Sequence, residues 1–246
     1  MSAARITYSV SCRGKTAAEP VGRFLSSHFT DLADADIDTV FGFVERSTLY
    51  GGRAFAEPEL SDADVTELRR RGIGLKLPLS NHFISDREYE DNLPLLEKYH
   101  EQGNAVVVVN DKLAGRLRAD FPRYSIEASV IKDIRTHDEV ARALEIYDTV
   151  VLPMHLNTNL AFLEAVPAKN RIRLFANGGC AYNCPLKLCY VSFSKMNKYT
   201  GEAEFKCSQP LLARPQLGML DFDVKRFVEM GFTRFKLLRS KGLTGY

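Results

Sequence analysis

Several familiar signatures are missing from this chain of 246 residues, and each gap removes a class of function. No apolar run approaches the roughly 18 residues needed to cross a bilayer, so no membrane span is expected. No Gly-x-Gly-x-x-Gly follows a strand-like stretch, which leaves a dinucleotide site unsignalled. His-Glu-x-x-His, Gly-x-Ser-x-Gly and any recognisably spaced Cys/His pair are absent, so the sequence supplies no peptidase constellation. The longest basic run is Arg69-Arg70-Arg71 and the net charge is +2, so an RNA partner is permitted but not signalled. The N-terminus is short and polar and enters a strand without a secretory leader. A cytoplasmic protein without disulfides is therefore the expectation.

Cys-x-x-Cys is absent too, yet four of the five cysteines lie close together, at Cys180, Cys184, Cys189 and Cys207. Structural zinc sites favour two separated Cys-x-x-Cys hooks, whereas cluster sites tolerate irregular gaps because several irons present several directions. The four thiols are thus read as ligands of an iron–sulfur cluster, with zinc or merely buried thiols as the alternatives. Cys12 lies too far off in sequence to join by spacing, although a barrel would bring its strand near.

Elements alternate along the chain. Strands are expected at Ile6–Ser11, Thr39–Glu45, Ile73–Leu79, Ala105–Asn110, Ser125–Val130, Thr149–Leu152, Arg171–Ala176 and Thr233–Leu237. Helices are expected at Pro20–Phe29, Asp62–Arg71, Asp86–Gln102, Lys112–Asp120, Thr136–Tyr147, Asn157–Ala165 and Asp221–Met230, several opened by a capping Ser or Thr and closed by Gly. Eight strands and seven helices in about 250 residues imply an α/β chain folded as a (β/α)8 TIM-like barrel, in preference to an open doubly wound sheet. One domain, 1–246, is expected, with 190–220 a long cysteine-anchored loop after strand seven. The closing helix is missing or replaced, so the open seam calls for another cover, such as a partner protein.

In a barrel the chemistry gathers on the loops after the strands. Glu127, His155, Glu45 and His82 are the candidate catalytic groups, with Glu127 and His155 the choice for proton transfer. Asn81, Asn157, Asn177, Lys236 and Arg239 are the candidate binding groups for a small-molecule substrate.

The run Leu174-Phe175-Ala176-Asn177-Gly178-Gly179-Cys180-Ala181-Tyr182-Asn183-Cys184-Pro185 resembles the Asn-x-x-Cys-x-x-x-Cys-Pro segment of the collagenase-like peptidases, family U-32. Gly231-Phe232-Thr233-Arg234-Phe235-Lys236-Leu237 is similar to that family's Gly-x-x-x-Phe-Lys segment, and Val151-Leu152-Pro153 with Asn157 sits where it has a strand and an Asn-containing turn. The resemblance is strongest over residues 150–240. It implies a barrel-like fold and a cysteine-ligated cluster, usually 4Fe–4S. Similar members act in oxygen-independent hydroxylation of ubiquinone precursors and of RNA bases, and others are classed as proteases. Cys180 and Cys184 match the motif; Cys189 and Cys207 are the remaining downstream thiols. The expected function is an iron–sulfur oxidoreductase acting on a small or aromatic substrate. The alternatives are a non-catalytic iron–sulfur partner subunit and a zinc-dependent hydrolase or protease.

Overall fold

The structure, a computed structural model, describes residues 5–182, 184, 186–199, 204–208 and 220–238. Eight parallel strands close into a ring: β1 (Thr7–Ser11), β2 (Ile37–Phe41), β3 (Gly74–Leu77), β4 (Ala105–Val108), β5 (Ser125–Ala128), β6 (Thr149–Val151), β7 (Ile172–Phe175) and β10 (Arg234–Leu237). Closure is made by β1, which pairs with β2 on one side and with β10 on the other, Thr7 opposite Arg234 and Val10 opposite Leu237. An open sheet would leave β1 with one of these partners only. β8 (Asn177–Gly178) and β9 (Leu220–Asp221) form a small antiparallel ribbon at the end of β7.

Each strand is covered on both faces, and its side chains alternate between them. Val10, Val40, Leu75, Leu77, Val106, Ile126, Val150, Ile172, Leu174 and Phe235 face outward into one continuous apolar core. The surrounding helices complete that core. They are α1 (Val21–His28), α2 (Asp62–Arg70), α3 (Asp86–Asp91), α4 (Leu93–Lys98), α5 (Asp111–Asp120), α6 (His137–Ile146), α7 (Leu160–Ala165) and α9 (Val224–Glu229). Val21, Phe24 and Leu25 of α1, Leu68 of α2, Leu117 of α5 and Phe227 of α9 are among the residues they contribute. The caps expected at Ser61 and Thr136 form, and Ser85 makes a third: each accepts a backbone N–H at N3 while the acidic N3 residue answers. α2 stops at Gly72, whose φ of 71° lies in the left-handed region that glycine enters without cost.

Four findings depart from the sequence reading. The helix expected over Asp86–Gln102 is two helices, α3 and α4, divided at Asn92, because Pro94 can supply no N–H to a continuous helix. β2 ends at Phe41, so Glu45 is not at a strand end. Asn159, not Asn157, caps α7. The expected loop 190–220 contains a helix, α8 (Leu188–Lys198). No helix among the described residues is long and apolar enough to cross a membrane.

Candidate functional site

The inward face of the ring carries charge. Lys76 of β3, Glu127 of β5 and Arg173 of β7 come from alternate strands, the way a barrel of this kind fills one interior layer. Glu127 Oε2 accepts from Lys76 Nζ at 2.9 Å and from Arg173 Nε at 2.7 Å. Arg173 also donates to Asp38 Oδ2 at 2.6 Å and to the Phe235 carbonyl at 2.9 Å. Burial by itself would raise both carboxyls, but the adjacent cations outweigh it. Lys76, Arg173 and Lys236 bring Glu127 down to about 2, and Arg173 and Lys76 hold Asp38 well below the usual range. Glu127 is therefore a permanent anion at neutral pH. In this arrangement it is the counter-charge of Lys76 and Arg173.

Lys236, on β10, shares this interior and is 7% exposed. Its Nζ lies 4.4 Å from the centre of the Phe41 ring and 6.0 Å from that of Phe175. Burial, with Lys76, Arg173 and Arg53 as neighbouring cations, draws its amine down to about 8 against the opposing pull of Glu127. Arg53 belongs to the connection from β2 to α2, which places the Lys236 amine toward the mouth of the barrel.

The other expected site residues divide. Asn157 is buried in the turn after β6, where it donates to the Phe175 carbonyl at 2.9 Å while its Oδ1 is enclosed without a partner among the described residues. Asn177 accepts from Leu238 N at 2.9 Å and joins β7 to the ribbon. His155, in the same turn as Asn157, lies on the rim. Burial and then the charges of Lys187 and Arg135 lower its imidazole, with Asp133 opposing. Those neighbours, rather than Glu127, form its surroundings, so the pairing expected of the two is not made. Glu45 is half-exposed on the outer wall, in an ion pair with Lys98 at 2.5 Å and accepting from the Tyr99 hydroxyl at 3.1 Å. It does not reach the interior. Arg239 lies outside the described residues.

Asn81 and His82 fasten α8 across the mouth. Asn81 Nδ2 donates to the carbonyls of Thr48, Tyr50 and Ser194, and its Oδ1 accepts from Phe83 N. Ser194 Oγ meets His82 Nδ1 at 2.9 Å, accepts from His82 N and donates to the Tyr190 carbonyl. This serine–histidine pair is committed to packing, not poised for acyl transfer: Ser194 is completely buried and its hydroxyl is engaged on every side. Further along, Asn197 accepts from Phe55 N at 2.7 Å and donates to the carbonyls of Tyr50 and Arg53. In this structure Asn81 and His82 thus position α8.

The thiols gather where α8 begins. β7 and the ribbon lead into the turn holding Cys180 and Cys184, Cys189 is the second residue of α8, and Cys207 returns to the helix. Two bonds explain that return, because Lys206 N donates to Ser192 Oγ at 2.9 Å and Ser192 donates to the Lys206 carbonyl. Burial first, then Cys180, Cys207 and Cys184, push the Cys189 thiol up to about 11. Cys184 Sγ accepts from Lys187 N at 3.3 Å and lies 2.9 Å from Ser208 Oγ. Among the described residues no three Cys, His, Asp or Glu side chains converge on one ion position. Cys12 is elsewhere, fully buried, donating to Glu59 Oε2 and the Phe41 carbonyl at 3.4 Å.

No family model matches the chain, and no curated protein matches it in sequence. In three dimensions it is similar to the solved structure of the U32 peptidase Mk0906, with a TM-score of 0.67 over 98% of this chain and 94% of that one at 13% identity. The likeness is one of fold, and it agrees with the barrel that the sequence resemblance implied.

Proposed function

Starting from a barrel that shares its fold with a U32 peptidase, we propose that this chain is an iron–sulfur oxidoreductase of the oxygen-independent hydroxylase kind. Cys180, Cys184, Cys189 and Cys207 would hold a 4Fe–4S cluster at the mouth, and a small or aromatic substrate would enter the barrel beneath it. One observation carries the reading: Cys180 and Cys184 of the turn and Cys207 from beyond α8 gather close enough to Cys189 to act on its thiol.

The donor set fits a cluster better than a single ion. A tetrahedral zinc at about 2.3 Å from each sulfur needs its thiolates within roughly 4 Å of one another, and paired Cys-x-x-Cys hooks of the kind that supply such sites are missing from the sequence. A cluster spreads its ligands over several irons and takes a wider cradle. The backbone N–H of Lys187 aimed at Cys184 is the kind of hydrogen bond that tunes a cluster thiolate. When bound, the group would supply electron transfer; with all four irons ligated by cysteine it would pass electrons rather than bind substrate. The chain's own residues do the rest. Phe41 and Phe175 offer an apolar wall, Asn157 Oδ1 an unused acceptor, and α8 restricts the entrance.

Iron and acid-labile sulfide, measured anaerobically on the purified protein, test the proposal. Both should be present, should fall by most of their value in Cys180→Ser, Cys184→Ser, Cys189→Ser and Cys207→Ser, and should be unchanged in Cys12→Ser. Stoichiometric zinc without sulfide in the parent protein, or full iron retention in both Cys180→Ser and Cys184→Ser, would overturn it.

A further inference from the structure

The barrel interior leaves one amine unmatched. Three cations, Lys76, Arg173 and Lys236, face two carboxylates, Asp38 and Glu127, and both carboxylates are engaged by Arg173. The other deeply buried lysine, Lys15, has Asp64 at 2.9 Å. Among the described residues the Lys236 side chain makes no ion pair or hydrogen bond and rests against two phenylalanine rings. An acceptor is unmatched as well, since Glu127 Oε1 is enclosed and has no partner among the described residues. These two atoms occupy the same interior without meeting as a pair.

We infer that Lys236 is a carbonyl-capturing nucleophile, forming an imine with a small 2-oxo acid that enters through the barrel mouth. This inference goes beyond the proposed cluster and does not depend on it. A buried ammonium without a directly paired carboxylate sheds its proton readily, and neighbouring cations reinforce the effect, which is how amine nucleophiles are activated. The step balances without any oxidant. The Nζ lone pair attacks the carbonyl carbon, the C=O π pair moves to oxygen, and that oxygen is protonated as the nitrogen loses a proton. Uptake of one further proton from solvent water at the mouth lets the hydroxyl leave as water, and the nitrogen lone pair closes C=N⁺. Glu127 is too acidic to donate in this sequence, but its free Oε1 can accept from the carbinolamine hydroxyl or the departing water.

Charge selects the class of carbonyl. With Lys236 neutral, the two remaining cations balance the two carboxylates. Iminium formation adds one positive charge, which a carboxylate beside the carbonyl offsets in the low-dielectric interior.

The purified full-length protein would be incubated with pyruvate and sodium cyanoborohydride, and the adduct mapped by peptide mass spectrometry. At pH 8 an amine with a pKa of about 8 holds roughly 100-fold more free base than an ordinary lysine. The adduct at Lys236 should exceed the mean of the other lysines by about tenfold or more and vanish in Lys236→Arg. Even labelling across all lysines overturns the inference, and acetone labelling Lys236 as well as pyruvate overturns the 2-oxo acid assignment. Should Lys236→Arg fail to fold, trinitrobenzenesulfonate modification of the parent chain decides. Half-maximal reactivity of Lys236 near pH 8 supports the inference, and reactivity rising only near pH 10, as for ordinary lysines, refutes it.

Discussion

Replacing Glu127 by Ala tests the interior charge network directly. Glu127 is 2% exposed, and one of its oxygens serves both Lys76 and Arg173. Its loss leaves Lys76 without its ion-pair partner, with only the weaker pull of Asp38, and faces it toward Arg173 and Lys236 across the barrel. Breaking a buried pair by removing one partner costs about 3–5 kcal/mol, a large part of the roughly 5–15 kcal/mol that holds a typical protein folded. At about 2–4 °C per kcal/mol for a chain of this size, the melting point should fall by roughly 6–20 °C. Thermal and urea unfolding followed by far-ultraviolet circular dichroism would measure it. The double variant Lys76→Met/Glu127→Leu removes both charges, leaves Arg173 with Asp38, and should regain most of the loss. The pH dependence has a definite sign. The folded value of about 2 is depressed from the ordinary 4.5, so the stabilisation is complete above the unfolded value and is lost as pH falls through the folded one. The gap between parent and Glu127→Ala should therefore be constant near neutrality and shrink between pH 4.5 and pH 2. A variant melting within about 2 °C of the parent at pH 7 would refute the reasoning, because that corresponds to no more than about 1 kcal/mol.

Asn197→Ala deletes three hydrogen bonds that tie α8 to the connection after β2. About 1–3 kcal/mol of local anchoring should go, seen as faster tryptic cleavage after Lys195 and Lys198 with little change in global melting; unchanged cleavage would contradict the clamp. Cys12 is fully buried, and burial, then Glu59, raises its thiol well above the ordinary value. In iron-free native protein, Ellman's reagent should titrate four of the five thiols, with Cys12 reacting only on unfolding; five fast thiols would contradict this packing.

The barrel was legible because its strands are short apolar runs of regular spacing and its helices carry caps that matched local hydrogen bonding. α8 was not, for a physical reason. Its buried residues are Ser192, Ser194 and Asn197, whereas Leu188 and Val191 are exposed. It docks by hydrogen bonds, so the apolar stripe that betrays a core-facing helix is absent. Glu45 was misplaced because the apolar run Thr39–Val44 continues beyond the last laddered residue, Phe41, carrying the apparent strand end along with it. The interior charges did leave a signal. Gly74–Leu77 and Ile172–Phe175 are each apolar but for one basic residue, Lys76 and Arg173, at an inward position. Two charges set into strands buried on both faces call for a common counter-ion, and Glu127 supplies it.

Ring closure has a consequence for synthesis. β1 leaves the ribosome first among the eight strands, and β10, its neighbour, leaves last. Until β10 emerges, β1 and β7 each present an unsatisfied edge, the condition in which a growing chain is most prone to pair with another. The charges follow the same timetable. Asp38 and Lys76 are made early, Glu127 midway and Arg173 late, so from Glu127 until Arg173 the growing interior holds one carboxylate in excess. That unmatched carboxylate keeps the half-made ring hydrated and open, which delays commitment to a dry interior until β7 brings Arg173.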